Sequence, residues 1–278
     1  MPCLYDAQFA LDLIQNLSLQ DNSTSLIVSP ICITLALTLA YIGSAGNTRC
    51  EFQHRFKIND ISEHQFLSRV SKFVESSNAE DALYNAWSQG YIDLKRNIRE
   101  EYQKKLATLF GTSFKRLDFT NQQLAAKTIN FDVSQHTNGK IKKVIFLLST
   151  IYMRAPWYKN FGINDTKNKT FHLNSNTQRS IEMMHMGPTK IQDSCKYAEN
   201  NLFRMLQLPY AKSSNSSVDS DDLFAFKKFS NLRFNILLPK KRFGLDSALQ
   251  KMDAASFLGL LNTAYEASLI ASSHRIHF

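Results

Sequence analysis

Residues 31–42 read ICITLALTLAYI, a run of 12 residues without a single charge, and Ser29-Pro30 stands directly in front of it. Serine is a favoured helix N-cap. Proline fits the first helical position, because the N–H it lacks would have no partner there. The pattern predicts a helix whose apolar side chains point all round, and such a helix has to be enclosed by other elements. It is too short to cross a bilayer, which takes roughly 20 apolar residues. Burying each Leu or Ile contributes about 1.5 to 3 kcal/mol, so the segment organises a core wherever it lies. With 278 residues, 44% of them hydrophobic and 12% aromatic, the chain has enough apolar surface to build that core.

Around this helix the helix-start and helix-stop residues are legible. Gly43 and Gly46 end it, and Thr48-x-x-Glu51, Ser62-x-x-Gln65 and Thr120-x-x-Gln123 are capping-box patterns for three more helices. Asn97 with Glu100 predicts another, its Ile98, Tyr102, Leu106 and Leu109 on one face and Glu100/Lys104 and Glu101/Lys105 paired outside, with Gly111 closing it. Strand signals fall at 81–93, 113–119, 144–153, 204–210 and 234–240. Two helical stretches, 244–252 and 253–267, follow. Helices and strands mix without regular alternation, which predicts the α+β class. The tract KSSNSSVDSDD cannot form a core and predicts a mobile loop over 211–230 between two strands.

Charge and chemistry narrow the function. Thirty-three basic against 24 acidic residues give a net charge of +9, so acidic partners are favoured in encounter without anything following for the fold. Lys95, Arg96, Arg99, Lys104 and Lys105 are a candidate polyanion surface, but Glu100 and Glu101 interrupt them and a solvated helix face accounts for them better. The four cysteines, Cys3, Cys32, Cys50 and Cys195, make no CxxC pair and read as reduced thiols. The start of the chain reads as an amphipathic helix rather than a signal peptide, so a cytoplasmic location is expected. The alternative is extracellular, where the sequons at Asn16, Asn22, Asn164, Asn168 and Asn215 would matter. No nucleophile elbow, zinc motif or phosphate loop is present, so no catalytic residue, metal or cofactor is assigned. Aromatic residues read as core, so nucleic acid is not an expected partner, nor is a membrane.

Taken in order along the chain, the motifs carry a family resemblance. SLIVSPICITLALTLAYIGSAGNT, with Ser29, Pro30, Gly43 and Thr48, resembles the B helix of the serpins. Asn130 and Thr137-Asn138-Gly139-Lys140-Ile141 resemble the end of the family's F helix, and IYMRAPWYKNF, with Trp157 and Phe161, resembles the end of a central strand. LQLPY and FNILLPK resemble its second sheet, and the closing HRIHF resembles a further strand of the large one.

The resemblance implies a serpin-like multi-sheet α+β fold of about eight helices, one domain over residues 1–278, incomplete at its C-terminus. Serpins trap serine or cysteine proteases when an exposed reactive loop is cut and inserts into the large sheet. In the family that loop lies beyond the HRIHF region. The chain is therefore expected to stop before its reactive site and to lack suicide-inhibitor activity. The alternative is a non-inhibitory binding protein that associates with other serpin chains. Ser25, Cys32 and Ser149 also stand where the family usually has Asn, Ser and Asn, at the place where the large sheet opens. A thiol is a poor donor and acceptor beside a hydroxyl, so that polar set is expected to be depleted.

Overall fold

The computed structural model describes residues 4–20, 26–77, 84–136, 147–185, 195–211 and 229–266. The chain divides into two compact units, Ile27–Arg154 and Met1–Leu26 with Ala155–Phe278. Eight helices longer than a single turn and three sheets occur among the described residues, in the α+β class expected.

The first helix, α1 (Leu4–Gln20), belongs to the second of these units. In the unit Ile27–Arg154, α2 (Pro30–Gly43) starts as its sequence dictates. Ser29 is extended, its hydroxyl accepts a hydrogen bond from the N–H of Cys32 at 3.3 Å, and Pro30 occupies the first turn. No residue from Pro30 to Ile42 is exposed. Leu35, Leu39 and Tyr41 are buried, and Thr38, equally buried, donates to the backbone oxygen of Thr34 at 2.6 Å, so its polar atom costs nothing. Gly43 has a steric duty. A β-carbon there would sit 3.0 Å from Cζ of Tyr102, whose hydroxyl reaches past it to the carbonyl of Leu39 at 2.6 Å.

Next come α3 (Gly46–Arg55), α4 (Ile58–Ile61) and α5 (Glu63–Ser77), then β1 (Tyr84–Asp93), α6 (Glu100–Phe110), β2 (Lys115–Leu117), α7 (Gln122–His136) and β3 (Leu147–Met153). Phe56, Ile58, Phe66, Val70, Leu106 and Phe110 join α2 in one core, with Ala86 of β1 beneath them. Several expected helix starts differ. Thr48 lies inside α3, which begins two residues earlier behind Ala45, with Gly46 at a φ of +57°. α6 begins at Glu100 behind an extended Arg99 rather than at Asn97. Thr120 donates to Asp118, and Asn121 takes the N–H of Leu124 at the start of α7. The Ser62 cap forms, its hydroxyl accepting from the Gln65 N–H at 3.3 Å. So do the Gly111 stop, at a φ of +59°, and the Glu100/Lys104 and Glu101/Lys105 pairs, at 3.6 and 3.5 Å.

In the other unit, a ribbon of β4 (Lys167–His172) and β5 (Gln178–Met183) precedes a four-stranded sheet. That sheet comprises β6 (Lys196–Glu199), β7 (Phe203–Ala211), β8 (Phe229–Pro239) and β9 (Tyr265–Glu266), in the order β8-β7-β6-β9. Ala211 and the pair Phe229 and Ser230 are strand residues, so the expected loop over 211–230 is shorter at both ends, and the remainder of it lies outside the described residues. Phe203 and Met205 are buried against Ala7 and Leu11 of α1 and against Met252 and Leu260, which belong to α8 (Leu245–Lys251), its C-cap and α9 (Ala254–Thr263). The Gln15 side chain fixes α1 there, donating to the carbonyls of Leu249 and Met252 at 2.7 and 2.9 Å.

Candidate functional site

The sheet of the unit Ile27–Arg154 has the order β2-β1-β3. β1 runs parallel to β2, with Tyr91 opposite Lys115, and antiparallel to β3, with Ser88 opposite Ser149. Alternation along β1 sends Ala86 and Gly90 to the face shared with the α2 core and Trp87 and Tyr91 to the other. Gly90 is required on the first face, since a β-carbon there would overlap the ring of Phe114.

α7 covers the second face. Ile129 and Val133, one helical turn apart, are buried against Tyr91, with Trp87 and Leu117 alongside. Asp132 lies on the same stripe and is only 7% exposed. An isolated buried carboxylate would cost several kcal/mol, but this one has two partners. The Tyr91 hydroxyl donates to Oδ2 at 2.8 Å and the Lys115 ammonium donates to Oδ1 at 2.8 Å. One helical side chain thus ties β1 and β2 together. Burial, and then the hydrogen bond to Asp132, push the Tyr91 hydroxyl well above the ordinary tyrosine range, so it stays protonated as the donor.

His136, one turn on, stacks flat on Trp87 with ring centroids 4.0 Å apart and planes 11° apart. Its Nδ1 lies 2.8 Å from the backbone oxygen of Asp132 and therefore carries the proton. None of Tyr91, Lys115, Asp132 or His136 was singled out by motif. The available signal is Asp132 itself, an acid at helical spacing from the apolar Ile129 and Val133.

The residues named from the sequence fall into three places. Ser29, Pro30 and Gly43 shape the two ends of α2, and Thr48 is exposed on α3. Asn130 is half-buried on α7, whereas Thr137, Asn138, Gly139 and Lys140 lie outside the described residues, as does Ser25. Trp157 and Phe161 are core residues of the other unit. Trp157 stacks on Tyr210 at 4.7 Å, meets Phe161 and Phe234 edge-on at 5.7 Å, and bridges to Tyr210 through the backbone. Among the described residues no three His, Cys, Asp or Glu side chains gather to hold a metal, and no helix is long and apolar enough to cross a membrane.

A helix tied to a sheet in this way, with a second, uncharged helix supporting the sheet from behind, is a scaffold. The family model described as Serpin (serine protease inhibitor) matches residues 5–271. The chain belongs to the serpin family. Among curated relatives, the human (Homo sapiens) leukocyte elastase inhibitor is 26% identical over 226 residues, which is 77% of this chain and 59% of that protein. This serpin thus spans about three fifths of that relative's length. Solved structures agree on the fold. Ovalbumin from emu (Dromaius novaehollandiae) matches with a TM-score of 0.78 at 20% identity, covering 95% of this chain and 70% of that one. Cleaved kallistatin complexed with heparin matches with a TM-score of 0.77 at 15% identity, covering 94% and 74%. As a member of an inhibitor family, the chain is not an enzyme.

Proposed function

We propose that these 278 residues form a serpin scaffold of the protease-inhibitor family that does not by itself trap a protease. The start of α2 carries this reading. Ser29 spends its hydroxyl on the N–H of Cys32 within its own helix. Beside it, Cys32 supplies a thiol where the family resemblance expects a hydroxyl, and Ser25 and Ser149 stand where it expects amides. A sheet that must part and reseal around an inserted strand needs polar side chains that exchange partners, and thiols do this poorly. Trapping is tested by incubating the chain with trypsin-like, chymotrypsin-like and papain-like proteases and running a denaturing gel. Cleavage without any adduct is the expected result; a band at the summed mass of chain and protease refutes the reading.

A second reading, association with other serpin chains, draws support from β3, which among the described residues pairs with β1 on one side alone. Co-elution with a full-length serpin on size exclusion would support it, and a monomer that captures none would remove it. Polyanions are a further partner class, supported by the net charge of +9 and by the heparin complex of kallistatin. A cytoplasmic setting suits Cys32, Cys50 and Cys195 as free thiols.

A further inference from the structure

No residue of α3 is buried. On its open side Cys50 and His54 stand four positions apart, which sets their side chains about 40° apart round the helix axis and about 6 Å apart along it. Both are exposed, Cys50 is a free thiol, and neither side chain makes a hydrogen bond among the described residues. Both line one groove of about 650 Å³, together with Thr48, Glu51, Phe52 and Arg55. Arg49, next to Cys50, interacts with it electrostatically, but its guanidinium is committed to Glu63 at 2.6 Å. A second helical pair with the same spacing, Asp132 and His136, is already engaged, the carboxylate by Tyr91 and Lys115 and the imidazole by Trp87.

We propose that Cys50 and His54 hold a zinc ion shared with a second copy of this chain, whose own Cys50 and His54 complete a tetrahedral shell. The chemistry of the donors carries it. A thiolate and an imidazole are the ligands of structural zinc, at about 2.3 and about 2.0 to 2.1 Å, and ligands one helical turn apart on one face close on a single metal. One chain supplies only this pair. Glu51 stands three residues before His54, yet among the described residues no three ligating side chains gather. A structural zinc takes four ligands, so the site is incomplete without the second copy, and a two-fold axis supplies the same pair again. Each thiol gives up its proton to solvent as the Zn–S bond forms, and the two thiolates cancel the charge of the dication. In an antiparallel pair, Glu51 and Arg55 of one α3 lie alongside Arg55 and Glu51 of the other, so the flanking exposed charges are complementary. Calcium and magnesium fit less well, since they take oxygen ligands.

The test titrates the full chain, kept reduced, with cobalt(II) as a spectroscopic stand-in for zinc, and follows its mass by light scattering in zinc and in EDTA. A thiolate-to-cobalt charge-transfer band with tetrahedral d–d absorption should saturate at one metal per two chains, and zinc should double the mass seen in EDTA. Cys50→Ser and His54→Gln, at exposed positions, should each bind at least about 10-fold more weakly and stay at the EDTA mass. His64→Gln, an exposed imidazole on α5, should bind within about twofold of wild type. Slower alkylation of Cys50 in zinc, mapped by mass spectrometry on the wild type, is a readout that needs no variant. Unchanged binding by Cys50→Ser, absence of the charge-transfer band, or equal Cys50 alkylation with and without zinc overturns the site. Saturation at one metal per chain without a rise in mass overturns the sharing between copies. A dimer that forms equally in EDTA, or that appears only when reductant is withheld, overturns the metal as its cause.

Discussion

Replacing Asp132 with alanine removes the polar side chain that links α7 to both β1 and β2. The Tyr91 hydroxyl, on a residue only 8% exposed, loses its acceptor. A hydrogen bond to a charged group contributes about 1.5 to 3 kcal/mol, and a buried hydroxyl left without a partner costs on that order. Lys115 is half-exposed and returns to water, so its ion pair adds at most about 1 kcal/mol. The expected loss is about 2 to 4 kcal/mol, and because the contact sits between helix and sheet, much of it should appear as easier lifting of α7. Native-state hydrogen exchange reads this directly: protection of the α7 amides should fall by about 30- to 1,000-fold, while the α5 amides change far less. Asp132→Asn keeps an acceptor for Tyr91 and should cost less. In a double-mutant cycle, Tyr91→Phe combined with Asp132→Ala should cost clearly less than the sum of the single changes. Additive losses, or α7 exchange within a factor of about 2 of wild type, would show that apolar contact alone seats the helix.

Two further outcomes are expected. Ser29→Ala should lower stability to urea by about 1 kcal/mol through loss of the α2 cap, and Ser29→Thr by only a few tenths; equal losses would mean that the hydroxyl acts elsewhere. Burial raises Tyr102 from 10.0 to about 12, and an unfolded tyrosine ionises first, so this contribution to stability is intact below about pH 10 and fades as pH climbs towards 12. Tyr102→Phe should flatten that alkaline decline, and an unchanged decline would remove Tyr102 as its source.

What could be read from the sequence was local. Ser29-Pro30 and Gly111 have no rival cap within three residues and were used as written, and Ser62 caps the next helix although Asn59 and Asp60 stand just before it. Thr48, Asn97 and Thr120 each had competitors within three residues. Gly46 let α3 start early by taking a positive φ, and Asp118 drew the Thr120 hydroxyl away and left the cap to Asn121. The clamp beneath α7 was less accessible for another reason. Asp132 meets residues 41 and 17 positions away in sequence, and such pairings follow from strand register rather than from any short motif. Trp157 and Phe161 carry the family resemblance in the sequence, but the stacked and edge-on neighbours of Trp157, Tyr210 and Phe234, lie more than 40 residues on and only the fold supplies them.

The anchoring of α1 has a consequence for how the chain is made. Gln15 leaves the ribosome early, yet the carbonyl it binds on Leu249 is 234 residues downstream. At about 5 to 20 residues per second, the helix waits on the order of 10 to 50 s for its partner surface to be synthesised. Residues 27–154 carry their own core and are complete well before then. Throughout that interval the apolar side of α1, with Ala7 and Leu11, is a natural substrate for a chaperone, and the emergence of α8 and α9 decides when it is released.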